Sequence, residues 1–287
     1  MKRAFLLLFS LFLASAAMGQ NSTSDSFEEA KKKGTAKLNV LYSEQAHFTY
    51  TEDSGEIGGI AADIFKHFAN FLRYNYKIEL DVNYVPHPNF TKFMAAVKEG
   101  GHGDLGLGNI TITEARKSEY SFSPAFYNNV AVLVTGKSTA DLTGLNKISS
   151  DFAGYEAVTV KNTTYEKYVL DLKANYFPGL TIRYVENDIA MASELRTNGK
   201  VLAYIDYHRY HDFRAQLKRH EVGDLSGEEF GFAMPKGCDW KTAWDEFFAF
   251  GTGYRNSNLY RSVITSHLGR EGANVLRKYY ADRNDGR

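Results

Sequence analysis

The sequence predicts a mixed α/β chain folded as two lobes, with the backbone crossing between them twice. Short apolar runs alternate with amphipathic segments of helical spacing, which is the pattern of strands joined by helices. The alternation comes in two sets, and short apolar runs lie between them. Two runs, residues 131–135 and 230–234, are placed to carry the chain across and back.

The N-terminus has the order of a secretory signal peptide. Met1-Lys2-Arg3 precedes an apolar stretch over residues 4–14, and the small residues Ser15, Ala16, Ala17 and Gly19 follow. Residues 1–19 are read as that signal, with cleavage after Gly19 or, second, Ala16. The apolar run is about half of the roughly 20 residues a spanning helix needs, and no Cys in this region suggests a lipid anchor. The protein is therefore expected in the periplasm.

Residues 20–36 are polar, and read as a flexible leader that turns partly helical at Phe27-Glu28-Glu29-Ala30. Order is expected from near Leu38, where residues 38–42 read as a strand. Ile60, Ile64, Phe68 and Phe71 put one apolar face on a helix over 60–72, and residues 78–84 alternate as a second strand. Phe90, Met94 and Val97 mark a helix that Gly100-Gly101 ends, glycine accepting the left-handed conformation of a helix stop. A strand follows at 104–107. The second set has strands at 157–161, 182–185 and 201–205 with helices at 165–172 and 188–197. The tail, 240–280, is helical by composition and packs back on the first lobe. The resulting division is 37–132 with 231–287 as lobe one, and 133–230 as lobe two.

Lys+Arg 34 against Asp+Glu 34 leaves no net charge, and bulk electrostatics give no reason to expect nucleic acid or an anionic membrane as partner. The single Cys238 excludes an intramolecular disulfide and reads as a small packed side chain. Residues 101–106 spell G-x-G-x-x-G, but the string follows a helix and enters a strand. A dinucleotide fingerprint needs the opposite order. His208 and His211 stand at i, i+3 without further implied ligands, so they read as a solvated helix face, and no metal or cofactor is expected. Asp104 reads as a turn-closing residue.

The informative stretch runs from Asp104 to Arg116. A strand ends near Gly108, hydroxyls at Thr111 and Thr113 follow, and a helical turn carries Arg116. Free N–H groups, hydroxyls and a guanidinium in one small volume suit a carboxylate, which arginine grips through two parallel hydrogen bonds. Taken as a bare pattern, the string is better described as a capped helix with an exposed arginine.

With Lys117 through Tyr127, this stretch resembles the periplasmic solute-binding proteins for polar amino acids, the family 3 extracellular binding proteins. The similarity extends from Leu38 to about Leu268 through Ala46-His47-Phe48-Thr49-Tyr50, Gly59 to Ile64, Val160 to Thr164, and Ala203-Tyr204-Ile205-Asp206. Family members usually carry Pro where this chain has His47. The resemblance implies a type II periplasmic binding protein fold: two α/β lobes joined by two crossing strands, with the ligand cleft between them. It assigns the ligand α-carboxylate to Arg116, with Thr111 and, from the second lobe, Thr164 or Thr163 as helpers. The α-amine falls to main-chain groups at Asn109 and to the carboxylate of Asp206. Phe90 matches an aromatic covering the ligand side chain and also fits the apolar face of its own helix. Tyr42, Gln45 and Phe48 are placed on the opposite wall.

The function so implied is capture of a small amino acid or amino-acid-like carboxylate by a monomer that presents its closed form to a membrane ABC permease or a sensor protein. Such a protein is not an enzyme and needs no cofactor. Cyclohexadienyl dehydratases share the fold and form the enzymatic alternative, which requires a carboxylic acid held protonated near the leaving hydroxyl; Glu44 is one candidate. A purely sensory role would require a separate signalling protein.

Overall fold

The computed structural model describes residues 24–284. The signal peptide, its cleavage site and the first residues of the leader lie outside the described residues. The rest of the leader is built into the fold. Helix α1 (Phe27–Lys33) starts at a capping box in which Ser26 and Glu29 satisfy each other's backbone N–H groups. Asp239, far along the chain, accepts from the N–H groups of Phe27 (3.0 Å) and Glu28 (3.1 Å). Phe27 is buried against Trp240, with ring centroids 5.1 Å apart. The expectation of a flexible segment up to residue 36 is thus corrected. Its anchoring comes from a partner over two hundred residues away, which local periodicity cannot reveal.

Strand β1 (Thr35–Tyr42) leads through the small ribbon β2 (Tyr50–Thr51) and β3 (Ile57–Gly58) to α2 (Ile60–Tyr76), then β4 (Glu79–Pro86), α3 (Phe90–Glu99), β5 (Asp104–Leu107), α4 (Glu114–Glu119) and β6 (Tyr120–Phe122). The chain then enters β7 (Tyr127–Gly136), α5 (Ile148–Asp151), β8 (Glu156–Val160), α6 (Thr164–Asn175), β9 (Thr181–Val185), α7 (Asp188–Thr197), β10 (Val201–Asp206), α8 (Tyr207–Phe213), β11 (Leu217–Arg219) and β12 (Leu225–Phe230). It returns through β13 (Ala233–Pro235) to α9 (Trp240–Ala249) and α10 (Asn258–Asn284), the last bent at Gly269.

Two main sheets result. The first has the order β4-β1-β5-β13-β6, and the second β11-β7-β10-β8-β9 with β12 also on β7. In the first, β1 is parallel to β4 and β5, and β13 is antiparallel to β5 and β6. Helix α9 closes this lobe by stacking Trp244 on Phe68 of α2, centroids 3.7 Å apart. These are the two α/β lobes of a type II periplasmic binding fold.

The backbone crosses where Phe126 N donates to Phe230 O (2.8 Å) and Ser123 N to Phe232 O (3.0 Å). The run 230–234 contains one crossing, as expected. Residues 131–135 do not contain the other: they sit inside β7, bonded to β10 and β11 of the second sheet, and the crossing lies upstream of β7. A boundary at 132/133 would cut this strand. Every residue from Asn129 to Thr135 is buried, and burial does not tell which sheet a central strand joins.

Glycines stop and start elements for different reasons. Gly100 ends α3 with φ −70°, not in the left-handed region, and a Cβ there would lie 2.7 Å from an Asp104 carboxylate oxygen. That carboxylate accepts from Gly101 N, Ser24 and Asn39, confirming Asp104 as a turn-closing residue. Gly59, at the start of α2, has φ 112° and its added Cβ would stand 2.4 Å from Phe48 O. Gly59→Ala is therefore expected to cost about 2 kcal/mol or more. Gly179→Ala, with nothing within 4 Å, should be close to neutral. Urea midpoints of the two variants check this, and equal midpoints would count against the packing described.

Candidate functional site

A cavity of about 280 Å³ opens between the lobes. Its walls are chain turns and helix starts at the ends of strands, where ligands bind in α/β folds. The segment after β1 brings Gln45, and the start of α3 brings Phe90; the stretch after β5 brings Asn109, Thr111 and Arg116. From the second lobe come Thr163, Thr164 and Tyr165 at the start of α6, Asp188 on α7, Asp206 at the end of β10, and His208 and Arg209 on α8.

Arg116 is held from three sides. Thr113 caps α4 by accepting from Arg116 N (3.1 Å), Nη1 donates to Thr111 O (2.9 Å), and the guanidinium lies over the Phe90 ring at 5.2 Å. Its Nη2 reaches Asn162 O (3.3 Å) in the second lobe. Burial lowers its pKa from the ordinary value, although arginine keeps its charge in proteins. Phe90 thus lines the cavity and also packs, half-buried, against its own core cluster.

Asp206 is 2% exposed. Its Oδ2 accepts from Asn109 Nδ2 across the cleft (2.9 Å), its Oδ1 from Asn129, and the Tyr165 hydroxyl donates to it as well. Burial, and then the negative charge of Glu228, push its carboxyl up to about 7. His208 Nε2 stands 3.8 Å away, and burial holds that imidazole well below its ordinary pKa. His208 is 4% exposed and meets the rings of Phe48, Tyr127 and His47, which corrects the reading of 208–211 as a solvated face. Among the described residues no group of His, Cys, Asp and Glu forms a metal site.

The remaining residues divide clearly. Gln45 lines the cavity and its Oε1 accepts from Asn109 N (2.8 Å), so that main-chain donor is already engaged. Thr163 is the cap of α6, accepting from Glu166 N (3.3 Å) and donating to Val160 O (2.7 Å). Thr164, the first residue of α6, lines the cavity without such a capping duty. Tyr42 and Phe48 are corrections: neither lines the cavity. Tyr42 is in the first-lobe core with its hydroxyl 3.2 Å from Thr51 Oγ1, and Phe48 is wholly buried among Phe126, Tyr127 and Phe230. Strand alternation and the following turn point them inward while Ser43, Gln45 and Ala46 face the cleft. Glu44 also lines the cleft and accepts from Thr51 Oγ1 (2.8 Å).

Sequence reasoning missed Glu228, Asp188, Arg209 and Tyr165. Glu228, 5% exposed on the returning strand β12, accepts from Tyr168 (2.9 Å), Asn129 (2.7 Å) and Thr111 (3.3 Å). Its signal was available: Glu228 and Phe230 are two apart and share the buried face of a strand. Asn129 thereby ties two buried carboxylates together beneath the cleft. The mouth is bridged too, by Asn162 Nδ2 donating to Thr91 Oγ1 (3.1 Å), so the lobes are closed on one another.

Solved structures with this architecture include amino acid-binding proteins. An ancestral amino acid-binding protein, a precursor of cyclohexadienyl dehydratase, superposes with a TM-score of 0.65 at 19% identity, covering 84% of this chain and 98% of its own. The GluR0 ligand-binding core from Nostoc punctiforme, in complex with (L)-glutamate, gives 0.63 at 13% identity, covering 81% and 99%. A candidate binding component of an ABC transporter from Wolinella succinogenes, complexed with lysine, gives 0.67 at 15% identity, covering 81% and 95%. At these identities the likeness carries the fold alone. A family profile matches residues 38–262, and on that match the chain belongs to the bacterial extracellular solute-binding proteins, family 3.

Proposed function

We propose that this solute-binding protein captures a free α-amino acid between its lobes and, after export through the signal at residues 1–19, delivers it in the periplasm to a membrane ABC permease. The observation that carries the reading is one small cavity lined from opposite lobes by a guanidinium, Arg116, and a buried carboxylate, Asp206. A zwitterion needs both, and dividing them between lobes makes closure depend on the ligand. Arg116 would take the α-carboxylate with the Thr164 hydroxyl from the facing helix start. Asp206 would take the ammonium, with Asn109 yielding its bond to Oδ2. The cavity volume is at the small end of ligand sites, which run from about 300 Å³ upward. No helix among the described residues is long and apolar enough to cross a membrane. The protein would act as a monomer.

Titration calorimetry against the twenty amino acids and common dicarboxylates tests the proposal. Saturable binding of at least one amino acid is expected, and a flat response across the panel would overturn it.

One observation favours a second reading. Asp206, whose carboxyl is raised above the usual carboxylate range by burial and by the neighbouring charge of Glu228, is shifted in the direction that the acid of a dehydratase on this fold requires. Prephenate added to the purified protein separates the readings: product at catalytic turnover means an enzyme, and binding of amino acids without turnover means a receptor.

A further inference from the structure

The cleft holds a second pair of charges that the grip on an α-carboxylate and an ammonium leaves over. Asp206 ends β10 and stands just before α8, and Arg209 is the third residue of that helix. Residues three apart on a helix are neighbours, with Cβ atoms about 5–6 Å from one another. Both line the cavity, as does Asp188 at the start of α7. A side chain growing from an ammonium held at Asp206 therefore has Arg209 and Asp188 within its reach.

Arg209 is loosely matched by the protein's own acids. Its side chain is only 14% exposed, yet the carboxylate oxygens beside it stand 3.5 Å from Nη1 (Asp212) and 3.8 Å from Nε (Asp188). Ordinary N–H···O bonds span roughly 2.7–3.2 Å. The Asp212 oxygen has a nearer neighbour in Nε2 of His47, at 2.6 Å. The Phe213 ring supports the guanidinium at 5.0 Å. Five N–H donors in a rigid fork are more than these contacts use. Asp188 is the acceptor beside them: burial raises the pKa of its carboxyl, and the charge of Arg209 opposes that shift. Glu44, a further acid of the lining, is exposed at the mouth, where it accepts from Thr51 Oγ1 (2.8 Å) and water screens it.

A cation and an anion side by side select by exclusion. A carboxylate side chain would gain Arg209 and be set against Asp188. An ammonium or guanidinium would gain Asp188 and be set against Arg209, and like charges brought together in a desolvated contact are strongly disfavoured. A carboxamide satisfies both residues: its carbonyl oxygen accepts from the guanidinium, its N–H₂ donates to the carboxylate, and no charge is added. We propose that Arg209 and Asp188 are the specificity-determining pair of this cleft, and that the captured amino acid carries an uncharged side-chain carboxamide, as glutamine and asparagine do. The inference rests on amino-acid capture between Arg116 and Asp206 and adds the class of side chain.

Titration calorimetry on the mature protein at pH 8, above the value of about 7 to which the Asp206 carboxyl is raised, compares glutamine, asparagine, glutamate, aspartate, lysine, arginine and alanine. One of the two amides is expected to bind at least about tenfold more tightly than any charged member. Arg209→Met keeps an apolar stem over Phe213 and removes the donors. It should weaken the amide by about 10- to 100-fold, the worth of a hydrogen bond to a charged group, and leave alanine little changed. Asp188→Asn removes the opposing charge, so the affinity for glutamate should rise about tenfold relative to glutamine, whereas damage to the fold would weaken both alike. Binding led by a charged amino acid, an unchanged ratio of amide to alanine in Arg209→Met, or an unchanged ratio of glutamate to glutamine in Asp188→Asn would overturn the pair and leave amino-acid capture standing. A flat response to all the amino acids would overturn both.

Discussion

Arg116→Ala is expected to lose nearly all amino-acid affinity, by about 2–5 kcal/mol, because one partner of a buried charged hydrogen bond disappears and the other is left unpaired. The structure adds a second loss. The same guanidinium bonds Asn162 O in the facing lobe and Thr111 O in its own, so alanine also removes a contact of the closed state. Arg116→Lys keeps the charge but loses the fork, and should be weakened as well. The helix itself need not suffer, since its cap is Thr113 accepting from the backbone of residue 116. Calorimetry with the tightest amino acid of the panel, alongside circular dichroism, reads the outcome. Wild-type affinity in both variants would mean the carboxylate is held elsewhere.

The second large effect belongs to Asp206 and depends on pH. In the empty closed cleft its carboxyl is raised to about 7; a bound ammonium favours the ionised form and lowers it. Binding below that value therefore releases a proton. Affinity should rise with pH up to about 7 and level off above it, falling by up to about tenfold per unit on the acid side. Binding heats at pH 6.5 in phosphate and imidazole buffers should differ by the proton released. Asp206→Asn should lose both the pH dependence and about 2 kcal/mol or more of affinity. It also places an amide N–H₂ among donors from Asn109, Asn129 and Tyr165. Affinity flat from pH 5 to 8 would remove Asp206 from the ammonium site.

How far the chain was legible before its structure follows a simple line. Helix α7 and strand β5 have the bounds read from the sequence, because caps and period suffice for elements that face one core. Arg116, Thr111, Asn109, Gln45, Phe90, Thr164 and Asp206 do meet around one cavity, and it was the ordered motif from Asp104 to Tyr127 that pointed there. Tyr42 and Phe48 were misplaced because one residue's shift along a strand end or turn exchanges cleft for core. The anchored start at Phe27 depends on Asp239, and the burial of His208 on the closing of one lobe against another. Such facts are set by distant partners. Glu228 is the instructive miss, since alternation with Phe230 showed its face but not that an acid there would find Thr111, Asn129 and Tyr168.

The order of the first sheet has a bearing on how the protein comes to be folded at all. Strand β13 enters between β5 and β6, and β6 pairs with no other strand. The second lobe is built from one uninterrupted stretch of chain, so it can assemble as soon as that stretch is free. The first lobe must wait for residues 233–235, more than a hundred positions after β6, to fill the gap in its middle. Pairings so distant in sequence are slow to form. A nascent chain would thus hold one finished lobe and one open sheet with two unpaired strand edges. In that interval the chain is most exposed to misassembly, and a mutation in β13 would slow maturation out of proportion to the few bonds that strand makes.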